Sequence, residues 1–290
     1  MTVIKIGTLS MARKTCKGKG NVPQNLPPLS VRYDHIVAAL KEYDLDILLC
    51  SSDFLDTVRM KKLLQHLKKT GCKTKVVTDI DGRTKKIKST KSSLRPFTRG
   101  QPLYLLEDTA SQPSLLARQT LVSSQERNSM KNAEEFANQL ISQFPHRNFK
   151  IKGKNVASMI CGEINYFKRS NGGRVGVFHK NYSQIAQHFA DADIVLNPTH
   201  DRMGSNFGVL KAKREYLSRR IKGRKRCYVS ASNWDINKLK QDRSDYFAQT
   251  RKAKSNHSVY VCGVDKTPQM TRVPVQDEEQ MLLSIIDVTL

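Results

Sequence analysis

The chain has 290 residues, of which 38% are hydrophobic, enough to furnish a sizeable core. No run approaches the roughly 18 consecutive apolar residues that span a bilayer, and the opening Met-Thr-Val-Ile-Lys-Ile-Gly lacks the charged, apolar and cleavage regions of a signal peptide. A soluble cytoplasmic protein without a membrane partner is therefore expected. Fifty Lys plus Arg against 26 Asp plus Glu give a formal charge of +24. Such an excess points to a polyanionic partner, nucleic acid first, through phosphate neutralisation and counterion release, although a basic surface also serves solubility alone.

In chain order, Val3 to Leu9 alternates as a first strand, and the Gly/Pro/Asn-rich stretch from Lys17 to Pro28 reads as a loop. Lys17-Gly-Lys-Gly20 lacks phosphate-loop spacing. From Ser30, placed as an N-cap, Ile36, Ala39, Leu40 and Tyr43 share a helical face. Leu45 to Cys50 is a buried strand ending in Ser51-Ser-Asp-Phe54. Met60, Leu63, Leu64 and Leu67 mark a second helix, with Gly71 where a C-terminal glycine belongs. Lys75 to Thr78 is a short strand, and the basic segment from Asp81 to Lys91 is an exposed hairpin or loop. Pro102 to Leu106 and Ser114 to Val122 are two further strands.

Ala133, Phe136, Ala137, Leu140, Ile141 and Phe144 fit the 3.6-residue period closely, and Pro145 ends that helix. Val156 to Cys161 reads as a buried strand delivering a cysteine to a turn. Ser183 to Ala190 is a short amphipathic helix, Ala192 to Pro198 a strand, and Phe207, Leu210, Arg214 and Leu217 open a long, very basic helix. Cys227 to Ser232, His257 to Cys262 and Leu282 to Val288 are the last strands. Strands and helices interleave with no linker and no internal repeat, so one α/β domain over 1–290 is expected. Six scattered cysteines without a Cys-x-x-Cys pair read as reduced thiols, with neither a zinc site nor a disulfide framework, and no cofactor is expected.

A thiol at the carboxyl end of a buried strand, followed by a glycine with an unencumbered N–H, suits covalent catalysis: Cys161 attacks a carbonyl or nitrile carbon and Gly162 helps to hold the oxyanion. The same residue also suits a small core position, since free cysteine is among the most buried residue types.

Several motifs resemble the nitrilase superfamily of carbon–nitrogen hydrolases. Ile160-Cys161-Gly-Glu163 is similar to that family's cysteine strand, and Ala192-Asp-Ile-Val-Leu-Asn-Pro-Thr199 to its Ala-Asp-x-x-x-Asn-Pro strand. Leu116-Ala-Arg-Gln-Thr-Leu121 stands where the family has Arg-Lys-x-x-Leu. Val229-Ser-Ala-Ser-Asn233 and Ser258 to Asp265 resemble the late strands. The resemblance runs over essentially the whole chain. It implies a four-layer α-β-β-α sandwich, commonly a homodimer, and a hydrolase acting on a small amide or nitrile-like substrate through a cysteine nucleophile, a glutamate base and a lysine that stabilises the tetrahedral intermediate.

The carry-over is partial. The lysine falls on Gln119, a neutral donor, and the first glutamate falls on Ser52 or, with a one-residue slip, Asp53. Glu126 resembles an accessory glutamate of many members, but also suits a loop acid beside Arg127. Asp53 equally suits a helix N-cap ahead of Val58. Glu163 reads as a structural acid or a substrate contact, and His200 as a residue of the pocket rim. The run from Lys211 to Arg226 carries nine cations, Lys211, Lys213, Arg214, Arg219, Arg220, Lys222, Arg224, Lys225 and Arg226, and is the first candidate for a phosphate-contacting patch, with Lys85, Lys86, Lys88 and Lys91 second. No aromatic interleaving is evident, so contact would be to phosphate alone. Two readings stand: a divergent hydrolase using Cys161, or a catalytically depleted fold whose basic surface engages a polyanion.

Overall fold

The structure is a computed structural model that describes residues 1–15, 23–24, 26–80, 101–120, 130–199, 207–235, 257–276 and 280–290. Two sheets face each other. The first runs in the order β16 (Thr271–Val273), β17 (Met281–Thr289), β1 (Val3–Thr15), β3 (Ile47–Cys50), β4 (Lys75–Asp79), β5 (Pro102–Leu106) and β6 (Ser114–Arg118), with β2 (Pro23–Gln24) and β13 (Trp234–Asp235) added to β1. The second runs β15 (Val264–Asp265), β14 (His257–Val261), β12 (Cys227–Ser232), β11 (Ile194–Thr199), β8 (Lys154–Ser158) and β7 (Asn148–Ile151). A separate hairpin pairs β9 (Phe167–Arg169) with β10 (Val175–Val177). The helices are α1 (Leu29–Glu42), α2 (Thr57–Thr70), α3 (Met130–Ser142), α4 (Ser183–Asp191) and α5 (Phe207–Ser218).

Alternation along the strands builds the layers. Ile47 and Leu49 of β3 meet Ile194, Leu196, Val229 and Val259 in a core between the sheets. Leu48 and Cys50, on the other face of β3, pack under α1 and α2 with Leu9, Ile36, Leu63 and Leu67. Val195, Tyr228 and Tyr260 face outward from the second sheet under Phe136 and Leu140 of α3, Phe189 of α4 and Leu217 of α5. This is the four-layer α-β-β-α sandwich that the resemblance implies. Strands covered on both faces carry continuous apolar runs, as β3 does and as Ile194 to Leu196 of β11 do.

The neighbours β1–β3–β4 and β8–β11–β12 are parallel, and the chain passes from β12 into β13, which pairs in parallel with β1 across the sandwich. The carboxyl ends of both parallel sets therefore lie at one pole. Between the sheets the lining changes from aliphatic to polar toward that pole. Ile4 and Ile6 on β1 give way to Ser10, whose Oγ lies 2.7 Å from Nε2 of His257 in the facing sheet.

The His257 ring is fully buried between Ser10 and Ser284, whose Oγ lies 2.9 Å from Nδ1. Burial, with Arg272 adding to it, pulls its pKa down to about 3, and burial, with Arg147, pulls that of His188 down to about 4. The unfolded chain takes up these protons below about pH 6.5 while the folded chain does not, so the stability is fully present above that pH and is lost as pH falls toward 3. Urea unfolding near pH 7 and near pH 5 should show each histidine contributing up to about 1.4 kcal/mol of loss per pH unit. His257→Gln should remove about one proton's worth of that slope. A stability independent of pH across this window would contradict the neutral, buried ring.

Some local expectations shift. The strand read as reaching Cys161 ends at Ser158, because Cys161 adopts φ 45° and opens a 3-10 turn over Cys161–Tyr166. The first helix starts at Leu29 behind Pro28 rather than at a Ser30 cap. The N-cap of α2 is Asp56, whose carboxylate accepts from the Arg59 N–H at 2.7 Å, so Asp53 does not take that role. Gly71 closes α2 at φ 64° as expected. The basic helix stops at Ser218, whose hydroxyl donates back to the Arg214 carbonyl at 2.8 Å, and a tight hairpin follows.

Candidate active site at the carboxyl ends of the strands

Five non-glycine residues among those described have positive φ: Asp53, Lys152, Cys161, Lys222 and Cys262. Three have one explanation. Lys152-Gly153, Lys222-Gly223 and Cys262-Gly263 are the central pairs of two-residue hairpins, closed by Ile151–Lys154, Ile221–Arg224 and Val261–Val264 respectively. The tight turns that match the twist of paired strands need φ > 0 at both central positions. Asp53 (65°) and Cys161 (45°) sit in no such hairpin. Each follows the carboxyl end of a parallel strand, β3 and β8, and both stand at the polar pole of the sandwich. Left-handed non-glycine residues outside turns cost of order 1–3 kcal/mol and gather at functional sites, where surrounding contacts hold them.

Those contacts are visible. The buried Asp53 donates its N–H to Oδ1 of Asp79 at 2.5 Å, its carbonyl accepts from Nη1 of Arg32 at 2.6 Å, and its Oδ1 accepts from Nε2 of Gln101 at 2.7 Å. The Gln101 carbonyl in turn accepts from the Gln119 N–H at 3.1 Å. The next residue, Thr120, donates both its N–H and its hydroxyl to Oε1 of Glu163 at 2.9 Å. Glu163 is 1% exposed and also binds the fully buried Arg147, Nη1 to Oε2 at 2.6 Å and Nη2 to Oε1 at 2.9 Å. Its Oε2 accepts the Ile160 N–H at 2.8 Å, while the Glu163 N–H donates to the Ile160 carbonyl at 3.0 Å. This reciprocal clasp fixes the backbone on both sides of Cys161.

The structure thus brings Asp53, Gln119, Glu163, Gly162 and Cys161 into one connected region. Five protein donors take up the Glu163 carboxylate, which ties the cysteine turn to β6 and to Arg147. Ser52 is buried and donates its N–H to the Thr199 carbonyl at 3.3 Å. Cys161 is half-buried at the edge of the inter-sheet core, whereas burial pushes the thiols of Cys50 and Cys227 well up, out of the range where thiolate forms. Glu126, His200 and the Lys85 to Lys91 cluster lie outside the described residues. Among the described residues no group of three or more His, Cys, Asp or Glu could hold a metal ion, and no helix is long and apolar enough to cross a membrane.

Sequence reasoning missed Gln101, Arg147 and Asn233. Asn233, at the end of β12, accepts from the Met11 N–H at 3.2 Å and from the Ser51 hydroxyl, and donates to the Ser52 carbonyl at 2.7 Å. It clamps the two sheets beside the Asp53 turn. Its one visible signal is an asparagine closing an otherwise apolar and small-residue strand.

The nine cations of the basic run separate into two sets. Lys213, Arg214 and Arg226 are at most 5% exposed, which corrects their assignment to a phosphate-contacting face. Lys213 donates to Oδ1 of Asn165 at 2.8 Å, and the Arg214 guanidinium lies 6.0 Å from the Tyr260 ring centre. Arg226 donates to the carbonyls of Phe189, Ala192 and Arg219, and Arg224 to those of Ala190 and Asp191, so two arginines cap the carboxyl end of α4. Burial, with Arg224 and Arg219 alongside, lowers the Arg226 pKa to about 10, which leaves it cationic at neutral pH. Lys211, Arg219, Arg220 and Lys222 are exposed, and Lys225 is half-exposed. Most of these lie where α5 ends and β12 begins, at the pole opposite Cys161.

No family model matches the chain, and neither does any curated protein. Solved structures similar to it include a glutamine-dependent NAD(+) synthetase from Cytophaga hutchinsonii, at 11% identity and TM-score 0.46, covering 99% of this chain and 43% of the synthetase. Others are Nit3 of Saccharomyces cerevisiae, a member of branch 10 of the nitrilase superfamily (10%, TM-score 0.47, 98% of this chain and 89% of Nit3), and a carbon–nitrogen hydrolase from Helicobacter pylori G27 (9%, TM-score 0.44, 98% and 89%). The chain spans less than half the length of the synthetase.

Proposed function

We propose that the protein is a carbon–nitrogen hydrolase that cleaves a small amide or related C–N bond through Cys161. The observation that carries this reading is the pair of left-handed residues outside hairpins, a thiol and a carboxylate at the same pole. In the proposed cycle Asp53 takes the Cys161 thiol proton as sulfur bonds to the carbonyl carbon. The oxyanion is held by the Gly162 N–H and the Gln119 side chain. The C–N bond then breaks as the proton passes to the leaving amine, giving a thioester that water hydrolyses to the acid and free thiol. Gln119 supplies a hydrogen bond where the resemblance implies a charge, and an oxyanion donor is worth roughly 10²–10³ in rate. A slow enzyme is the expected consequence.

Substoichiometric iodoacetamide near pH 7, read by mass spectrometry, should alkylate Cys161 at least tenfold faster than the half-buried Cys72 and Cys262. Asp53→Asn should remove that preference, and Cys161→Ala should abolish hydrolysis across a panel of primary amides and nitriles. Equal labelling of the accessible thiols would sink the activated nucleophile.

A second reading is favoured by the gathering of exposed cations at the opposite pole. In this reading the same chain engages a polyanion there, independently of Cys161.

A further inference from the structure

We infer that the end of α5 and the hairpin after it form a binding site for single-stranded nucleic acid, in which one base stacks on the outer face of Arg219, backed by Tyr216, and the flanking phosphates meet Arg220 and Lys222. This deepens the polyanion reading and rests on it. Beside Arg219 and Tyr216 a shallow hollow of about 20 Å3, room for water and not for a base, lies between α4, the end of α5 and the hairpin. Ala186, Phe189, Leu217 and Ile221 give it an apolar lining.

On its rim the Arg219 guanidinium stands 4.2 Å from the centre of the Tyr216 ring. A guanidinium plane stacked on one aromatic face offers its other face to a nucleobase, and such stacks tolerate any base. Tyr216 sits within the basic run itself, so the earlier reading of a patch without aromatics is corrected: one turn of helix brings the ring under the cation.

The charge around the hollow is one-sided. Among the described residues none of Arg219, Arg220 and Lys222 is ion-paired. Two acids of the surrounding elements have other partners, Glu215 with Lys211 at 3.8 Å and Asp193 with Arg224 at 3.5 Å. The buried Arg226 also lines the hollow and keeps its charge, so the cations gather on one side of the molecule, where phosphate would find them. The two-residue hairpin, with Lys222 at φ 49° and Gly223 at φ 78°, holds Lys222 on a short, defined turn rather than a loose loop. A duplex keeps its base faces stacked inside and cannot offer one to Arg219, whereas a single strand can.

The test is fluorescence anisotropy on the full chain with a labelled single-stranded RNA of about twelve uridines, the matching duplex and a polyglutamate peptide as probes. The single strand should bind more tightly than either. Arg219→Gln and Tyr216→Leu should each weaken it by about tenfold, and Arg220→Gln with Lys222→Gln should lower the slope of log affinity against log salt by about 1.4. Lys61→Gln with Lys62→Gln, exposed on α2 at the far face, should change the slope little.

If no nucleic acid binds at low salt, the polyanion reading itself fails. If it binds but the α2 pair weakens it as much as Arg219→Gln, the attraction is diffuse: that reading survives and the site is refuted. Tighter binding of polyglutamate or of the duplex refutes the proposed ligand class.

Discussion

Arg147→Met should destabilise the protein by about 3–5 kcal/mol, the range for breaking a buried ion pair by removing one partner. Both members are essentially inaccessible, at 0% and 1% exposure. Arg147 also donates to the carbonyls of Ser158 at 3.3 Å and Arg118 at 2.9 Å, joining β8, β6 and the cysteine turn. Without it Glu163 retains Thr120 and the Ile160 N–H but loses the only cation bound to its buried carboxylate among the described residues. Chemical denaturation should register the loss directly, and the melting temperature should fall by roughly 10 °C. Adding Glu163→Gln should recover at least about 1 kcal/mol, because the uncompensated charge, rather than the missing contacts, dominates the cost. A single-variant loss below about 1 kcal/mol would mean that water reaches the pair. The same variant bears on chemistry: with the clasp on Ile160 loosened, Cys161 should lose its selective alkylation even in the fraction that remains folded.

Much of the architecture was legible because strands buried on both faces write themselves as unbroken apolar runs and the helices keep a clean 3.6-residue period. Ile47 to Cys50 and Ile194 to Leu196 are plain examples, as are Leu63 with Leu67 and Phe136 with Leu140. Legibility fails where a residue's role is set by a partner far away in sequence. His257 is a strand residue until Ser10, 247 positions earlier, is found against its ring. Gln101 looks like a loop residue until its amide reaches Asp53.

The basic run shows the same limit from the other side. Charge count alone makes nine equivalent candidates, yet three are buried and two cap α4. The candidate site was half legible. Cys161 could be singled out from local pattern and Asp53 only through the resemblance, and their left-handed backbones depend on Glu163, Asp79 and Arg32, contacts that no local pattern encodes. Even the hairpin signal had two levels: Lys152-Gly153 and Cys262-Gly263 carry a turn-forming glycine, but only the closing pairs fix the turn type.

Asn233→Ala should cost about 3–5 kcal/mol, because it leaves three buried groups without their partner at once, each worth roughly 1–3 kcal/mol when unsatisfied. These are the Met11 N–H on β1, the Ser51 hydroxyl and the Ser52 carbonyl, and the asparagine that joins them is itself inaccessible. The more telling variant is Asn233→Asp. It keeps the acceptor for Met11 and Ser51 and nearly the same volume, but a carboxylate cannot donate to the Ser52 carbonyl and brings a charge into a region already holding Asp53 and Asp79. It should therefore be at least as damaging as alanine near pH 7 and should recover part of the loss as the solution is made acidic enough to protonate the new carboxyl. That recovery runs opposite to the acid sensitivity conferred by His257, so the two are separable in one pH series. Urea unfolding of both variants decides the matter: if aspartate is tolerated as well as asparagine, the donor to Ser52 contributes little, and the turn that presents Asp53 must be held from the Arg32 and Asp79 side alone.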